Sequence, residues 1–165
     1  MNMPKIVGRM IVALALLLTT ACQTTEMDLP ESFLRLDREP SYPGFRATTP
    51  DEARLQVRTF GVADAGDLAF WDEALRHEFA EYRGYNEEGE PRRLTNADGE
   101  EGIGRVWFSK ETGRDRGYLV VLFVEVEEGF RDSHSEVTVL EFSARVERFR
   151  ELLPEVLESV GTLDY

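Results

Sequence analysis

The chain predicts an α+β fold, an antiparallel sheet flanked by helices, and three observations predict it. Segments that alternate apolar and polar residues follow one another along the chain, and neighbouring strands of that kind pair antiparallel. Only two segments carry the apolar spacing of an amphipathic helix. One strand, around Leu119 to Val124, is apolar at both parities, so it is expected to be covered on both faces and central to the sheet. The resulting order is β-β-α-β-β-β-β-α, with the two helices expected on opposite sides of the sheet.

Each element has a local reason. Phe45 to Thr48 and Ala53 to Phe60 form a hairpin, with Thr49-Pro50-Asp51-Glu52 as its turn. In the second strand Leu55 and Val57 alternate with Arg54, Gln56 and Arg58. Gly61 to Gly66 is a loop. Asp67 is an N-cap, because its carboxylate can accept from the free N–H groups of the next turn. Leu68, Trp71, Leu75, Phe79 and Tyr82 then share one helical face, and Gly84 ends the helix. Pro91 to Thr95 is a short strand, Asp98-Gly99 a hairpin-type turn and Gly104 to Ser109 a further strand. Lys110 to Gly117 is a charged turn. Tyr118 to Val126 is the central strand and Glu136 to Phe142 the last one. Ser143 or a neighbour caps the final helix, whose stripe is Val146, Phe149, Leu153, Val156, Leu157 and Val160. Pro154 lies inside that helix and is expected to kink or divide it, and Gly161 ends it.

The N-terminus carries the sharpest signal. Lys5 and Arg9 precede nine apolar residues, Met10 to Leu18. That run is too short for a bilayer, which needs roughly 20 residues, and suits a signal-peptide core. Leu18-Thr19-Thr20-Ala21-Cys22 follows, and this stretch resembles a bacterial lipoprotein lipobox. The resemblance implies that the Cys22 thiol takes a diacylglycerol. The chain is then cut before Cys22, and the new amine receives an acyl chain such as palmitate. The alternative is an ordinary secretory signal with a chance cysteine. Cys22 is the only cysteine in the chain, and secreted domains use cysteines in pairs, which favours lipidation. Gln23 stands where an Asp would hold an enterobacterial lipoprotein in the inner membrane, so it points to the outer membrane in a Gram-negative source. The organisation read from this is a signal peptide at 1–21, a lipidated tether at 22–40 and a single α+β domain at 41–165. Phe33, Leu34 and Leu36 break the polarity of the tether, so its second half is expected to dock or form a short turn.

Removing residues 1–21 takes Lys5 and Arg9 with it. The 144 remaining residues hold 17 basic against 32 acidic side chains, a net charge of −15. Nucleic acid needs a basic footprint, so it is excluded as a partner. The acidic surface also repels anionic headgroups, which leaves the lipid on Cys22 as the membrane contact. Without a second cysteine no disulfide supports the domain, and its core must carry stability alone.

Candidates for chemistry are few. His134 lies between Ser133 and Ser135 and next to Asp132, but adjacent strand residues point to opposite faces and a triad must converge. His77 sits on or beside the polar face of the first helix. Asn96-Ala97-Asp98-Gly99-Glu100-Glu101 is oxygen-rich, but lacks the spacing of a calcium loop and reads as a solvated hairpin tip. Gly102-Ile103-Gly104 is no nucleotide fingerprint. Glu87-Glu88 and Glu125, Glu127 and Glu128 read as solvated strand ends. Trp71 belongs to the core stripe. Trp107 alternates with Val106 and Phe108. If it is the outward one, it is the best candidate for a ligand or partner contact. No catalytic residue, metal site or cofactor is assigned.

Phe45-Arg46-Ala47-Thr48-Thr49-Pro50, the helix at Trp71, the strand at Leu119 and Val139-Leu140-Glu141-Phe142-Ser143-Ala144 leading into a long last helix resemble PsbP-like α/β/α sandwich proteins. The resemblance covers most of 41–160. It implies a mostly non-catalytic role as an extrinsic subunit, assembly factor or binding module near a membrane. The expected function is therefore a lipid-anchored envelope module that binds an envelope protein partner without catalysis. The alternatives are a small envelope hydrolase using carboxylates and a structural envelope lipoprotein.

Overall fold

The computed structural model describes residues 25–36, 44–63, 66–109, 115–128 and 133–165. The expected signal peptide, Cys22 and Gln23 lie outside the described residues. So do Ser41 to Pro43, most of the Lys110 to Gly117 turn, and Phe130 to Asp132.

Among the described residues, eight strands make one antiparallel sheet: β1 (Leu34–Arg35), β2 (Gly44–Thr48), β3 (Arg54–Ala63), β4 (Asn86–Glu87), β5 (Arg92–Thr95), β6 (Glu101–Ser109), β7 (Arg116–Glu128) and β8 (Ser133–Arg145). Their spatial order is β1-β2-β3-β8-β7-β6-β4, with β5 also on β6. Helix α1 (Leu68–Arg76) continues as a π-helical segment, His77–Tyr82, and α2 is Val146–Val160. With two helices the chain is α+β, as its pattern predicts. The long strands β7 and β8 pair along their whole length, from Arg116↔Arg145 to Glu128↔Ser133.

Alternation along β7 builds two cores. Leu119, Val121 and Phe123 join Phe149, Leu152 and Val156 of α2, with Leu55 and Val57 of β3 and Leu140 and Phe142 of β8. Val120 and Leu122 join Phe79, Trp107, Val137 and Val139, against which Leu68, Trp71 and Leu75 of α1 pack. Burial of one such apolar side chain contributes about 1.5–3 kcal/mol, so two cores suffice without a disulfide. Gly117 lets α2 settle on β7: a Cβ there would stand 2.4 Å from the Phe149 ring. Phe149 in turn stacks on Phe142, with centroids 5.1 Å apart.

Local signals place the first helix correctly. Asp67 caps α1, its Oδ1 accepting from Phe70 N at 2.9 Å. Gly84, at φ +68°, turns the chain out of the helix. Three details differ from the pattern. Tyr82 is 82 % exposed rather than in the stripe. The π-helical segment, in which Arg83 N donates to Glu78 O at 3.0 Å, carries it off the buried face. Tyr85 takes its place, stacked on Tyr118 at 5.0 Å. Neither Ser143 nor a neighbour caps α2: β8 runs into the helix at Arg145 with no side-chain cap, and Asp115 O accepts from Val146 N at 3.3 Å. Pro154 does not divide α2, because it lies on the exposed face, where water can serve the carbonyl it leaves unpaired.

The segment read as a tether packs on the domain from residue 25 onward. Met27 and Phe33 are buried in the α2 core, and Phe33 meets Phe142 edge-on at 6.1 Å. Glu26 and Asp164 exchange backbone hydrogen bonds of 2.8 and 2.9 Å. Apolar residues at 27, 29 and 33 give this segment its own reason to dock, so the chain from 25 to 36 belongs to the fold.

Candidate functional site

Helix α1 sits over β6 and β7. Beside it, towards β3 and β8, a groove of about 330 Å³ opens. Its floor is Leu122, Val137 and Val139. Phe60 of β3 forms one wall, and Trp71, Ala74 and Leu75 of α1 form the other. Arg58, Glu78, Arg83 and Glu141 line its polar rim. A second section of about 190 Å³ continues it past Phe79, Arg83 and Glu141 towards Arg54, Tyr118 and Ser143. The size lies at the lower end of small-ligand sites, and an apolar floor with a few polar groups at its edge is their usual make-up.

The groove exists because α1 is incompletely buried. No residue of α1 falls in the fully buried class. Phe60 is 39 % and Phe70 59 % exposed, and both meet the Trp71 ring edge-on, at 6.3 and 5.5 Å. Aromatic surface left open at the mouth of a groove suits a partner that brings apolar area. The π-helical segment shapes the far end. It brings Phe79 into the core and sets Arg83 over its ring, 4.5 Å from the centroid. Insertions of this kind recur at functional sites.

The rim is electrically balanced. Arg83 Nε donates to Glu78 Oε1 at 2.9 Å, and Arg58 Nη2 to Glu141 Oε1 at 3.3 Å. Gln56 also donates to Glu141. Two donors in the lining, Arg58 Nε and Trp71 Nε1, are buried without a hydrogen-bond partner among the described residues. Such groups cost free energy unless something accepts from them.

The residues singled out from the sequence fall elsewhere. Trp107 is fully buried, at 0 % exposure, with Phe79 5.5 Å away. It is a core residue, which corrects its reading as a surface contact. Trp71, read as core, is half-buried and forms a groove wall. His134 is exposed and pairs with Ala63 and Glu127 across the sheet, while Ser135 is buried and donates to Gly66 O at 3.0 Å. Adjacent on one strand, they do not converge. His77 lies 3.3 Å from Glu81 on the exposed side of the helix. The oxygen-rich turn is self-satisfied. Asn96 Oδ1 accepts from Asp98 N at 3.1 Å and Glu100 N at 2.8 Å, and Glu100 accepts from Asn96 Nδ2 and the Tyr165 hydroxyl. Among the described residues no group of three or more His, Cys, Asp or Glu side chains is arranged to hold a metal ion.

Alternation alone does not reveal the partly shielded charge cluster around Arg105. Arg105, only 10 % exposed at its side chain, donates twice to Asp72, at 2.6 and 2.7 Å, and also to Glu87. The Asp72 bonds hold its guanidinium pKa above the ordinary arginine value, with Glu87 assisting. This cluster ties α1 to β6 and β4 and so fixes the wall of the groove. Asp51 lies in the β2–β3 turn, where the Thr49 hydroxyl holds its carboxyl below the usual range. A general acid would need the opposite shift.

No family model and no curated protein sequence matches the chain. Several solved structures match the chain. One is LpqN of Mycobacterium tuberculosis, described as involved in cell envelope biogenesis. It has a TM-score of 0.68 and 14 % sequence identity over 87 % of this chain and 84 % of its own. Another is PA94 of Pseudomonas aeruginosa, a protein of unknown function, with a TM-score of 0.46 and 16 % identity over 87 % and 83 %. Among the described residues no helix is long and apolar enough to cross a membrane.

Proposed function

We propose that the chain is a lipid-anchored cell-envelope lipoprotein whose domain is a non-catalytic binding or assembly module, and that the groove beside α1 is where it binds. The observation that carries the binding role is this groove, with its apolar floor and open aromatic mouth. Cys22 is the acylated residue, and the lipobox ahead of it is the support for that. The outer membrane, with the domain facing the periplasm, is the proposed site in a Gram-negative source, on the strength of Gln23. A PsbP-like sandwich agrees with the element order, and the envelope role described for LpqN supports an envelope setting. The partner is an envelope protein that brings an apolar segment into the groove.

The test is cross-linked co-purification from native membranes, comparing wild type with Cys22→Ser. One stoichiometric partner recovered with the anchored form alone is the expected result. Equal recovery of that partner with both forms would remove the anchor from the account. If no partner is enriched with either form, the binding role falls and the hydrolase alternative rises.

A further inference from the structure

We infer that the β1 edge of the sheet is the surface the anchored protein holds against its membrane, with Leu34 and Leu36 at the boundary between headgroups and acyl chains. The inference rests on the acylation of Cys22 proposed above. Three peptide steps separate Cys22 from Thr25. An extended chain spans about 3.3–3.6 Å per residue, so this leash reaches about 10 Å.

The leash ends at a fixed point. Thr25 is 7 % exposed, and its carbonyl accepts from Arg35 Nη2 at 2.9 Å. Glu26, the next residue, is paired to Asp164. A domain of this size has a radius of gyration of about 15 Å, longer than the leash. The far edge of the sheet, at β4, therefore cannot turn to the bilayer.

One arginine side chain separates that fixed point from β1. Arg35 lies over the Phe45 ring, 4.5 Å from its centroid, on the α2 side. By alternation Leu34 and Leu36 take the other face of the strand. They are 65 % and 44 % exposed. Single exposed leucines are ordinary. This pair is set apart by its place beside the anchor. The exposed acids Glu26, Asp28 and Glu31 follow Thr25 within six residues of the chain. They repel anionic headgroups within a Debye length of about 8 Å. The edge therefore suits a zwitterionic lipid surface.

The test places the photo-reactive residue p-benzoylphenylalanine at Leu34, Leu36 or Tyr82 in the full chain in native membranes. All three sites are exposed, so the fold tolerates the change. Tyr82 serves as the remote control, since its segment packs beside β4, at the opposite edge of the sheet from β1. After irradiation, lipid adducts are measured by mass spectrometry. The expected yields at 34 and 36 are at least about fivefold above that at 82. Equal yields on a protein that stays membrane-bound would overturn the orientation while leaving the anchor intact. A wild type that washes off membranes as readily as Cys22→Ser would overturn the acylation and this inference together.

Discussion

Trp107→Ala separates a core residue from a contact residue. The side chain is fully buried, so truncation removes all of its apolar contact and leaves a cavity beside Phe79 and Val120. Its Nε1 has no hydrogen-bond partner among the described residues, so no hydrogen bond is lost to offset or deepen the effect. Truncations of this kind cost about 3–5 kcal/mol. Against a total stability of about 5–15 kcal/mol for an ordinary domain, that is about a fifth or more. With a urea m-value of about 2 kcal/mol/M, the unfolding midpoint should fall by roughly 2 M. The assay is urea unfolding followed by far-ultraviolet circular dichroism. Because the alanine variant is close to the limit of folding, Trp107→Phe is measured beside it. It keeps a ring against Phe79 and should cost about 1–2 kcal/mol. Trp71→Ala, at a half-buried site, should also cost about 1–2 kcal/mol and should weaken partner recovery. A loss below about 1 kcal/mol for Trp107→Ala, or lost partner recovery at unchanged stability, would refute the core assignment.

Three further outcomes follow from the hydrogen-bonded polar groups. Asp72→Ala leaves Arg105 with Glu87 alone and should destabilise by about 2–3 kcal/mol. The double variant with Arg105→Ala should lose at least about 1 kcal/mol less than the sum of the two single losses, as the same urea assay would show. Asn96→Ala frees two backbone N–H groups in the β5–β6 turn and should cost about 1–2 kcal/mol, with faster amide exchange confined to Asp98 and Glu100. Burial, followed by the hydrogen bond to Glu100, raises the Tyr165 pKa. An unfolded tyrosine releases its proton near pH 10 while the folded one retains it, so the unfolded state binds fewer protons there. Stability should therefore fall as pH rises above about 10, and Tyr165→Phe should flatten that fall.

Local chemistry made much of the fold legible. Asp67 and Gly84 bound the first helix because a cap and a left-handed stop depend on a few neighbouring residues. The doubly apolar run from Leu119 to Phe123 announced a covered central strand, because its cause is written into each residue in turn. Legibility failed where partners are distant in sequence. Arg105 reads as a wet residue of an alternating strand until Asp72 and Glu87 are brought to it. Val106, Trp107 and Phe108 are all apolar, so parity alone could not say which of them faces α1. Tyr82 left the stripe because a π-helical segment changes the period, which apolar spacing does not encode. The groove is a property of where α1 rests on the sheet, and no single residue of its lining signals it.

The central claim is that the domain binds at the groove. The measurement that tests it most directly fills the groove and asks whether binding survives. Ala74 is exposed on α1 and lines the groove. Ala74→Trp therefore places a large ring in the opening while leaving both cores untouched. The account predicts an unfolding midpoint close to wild type and at least a tenfold loss of cross-linked partner from native membranes. A filled groove with undiminished partner recovery would contradict it.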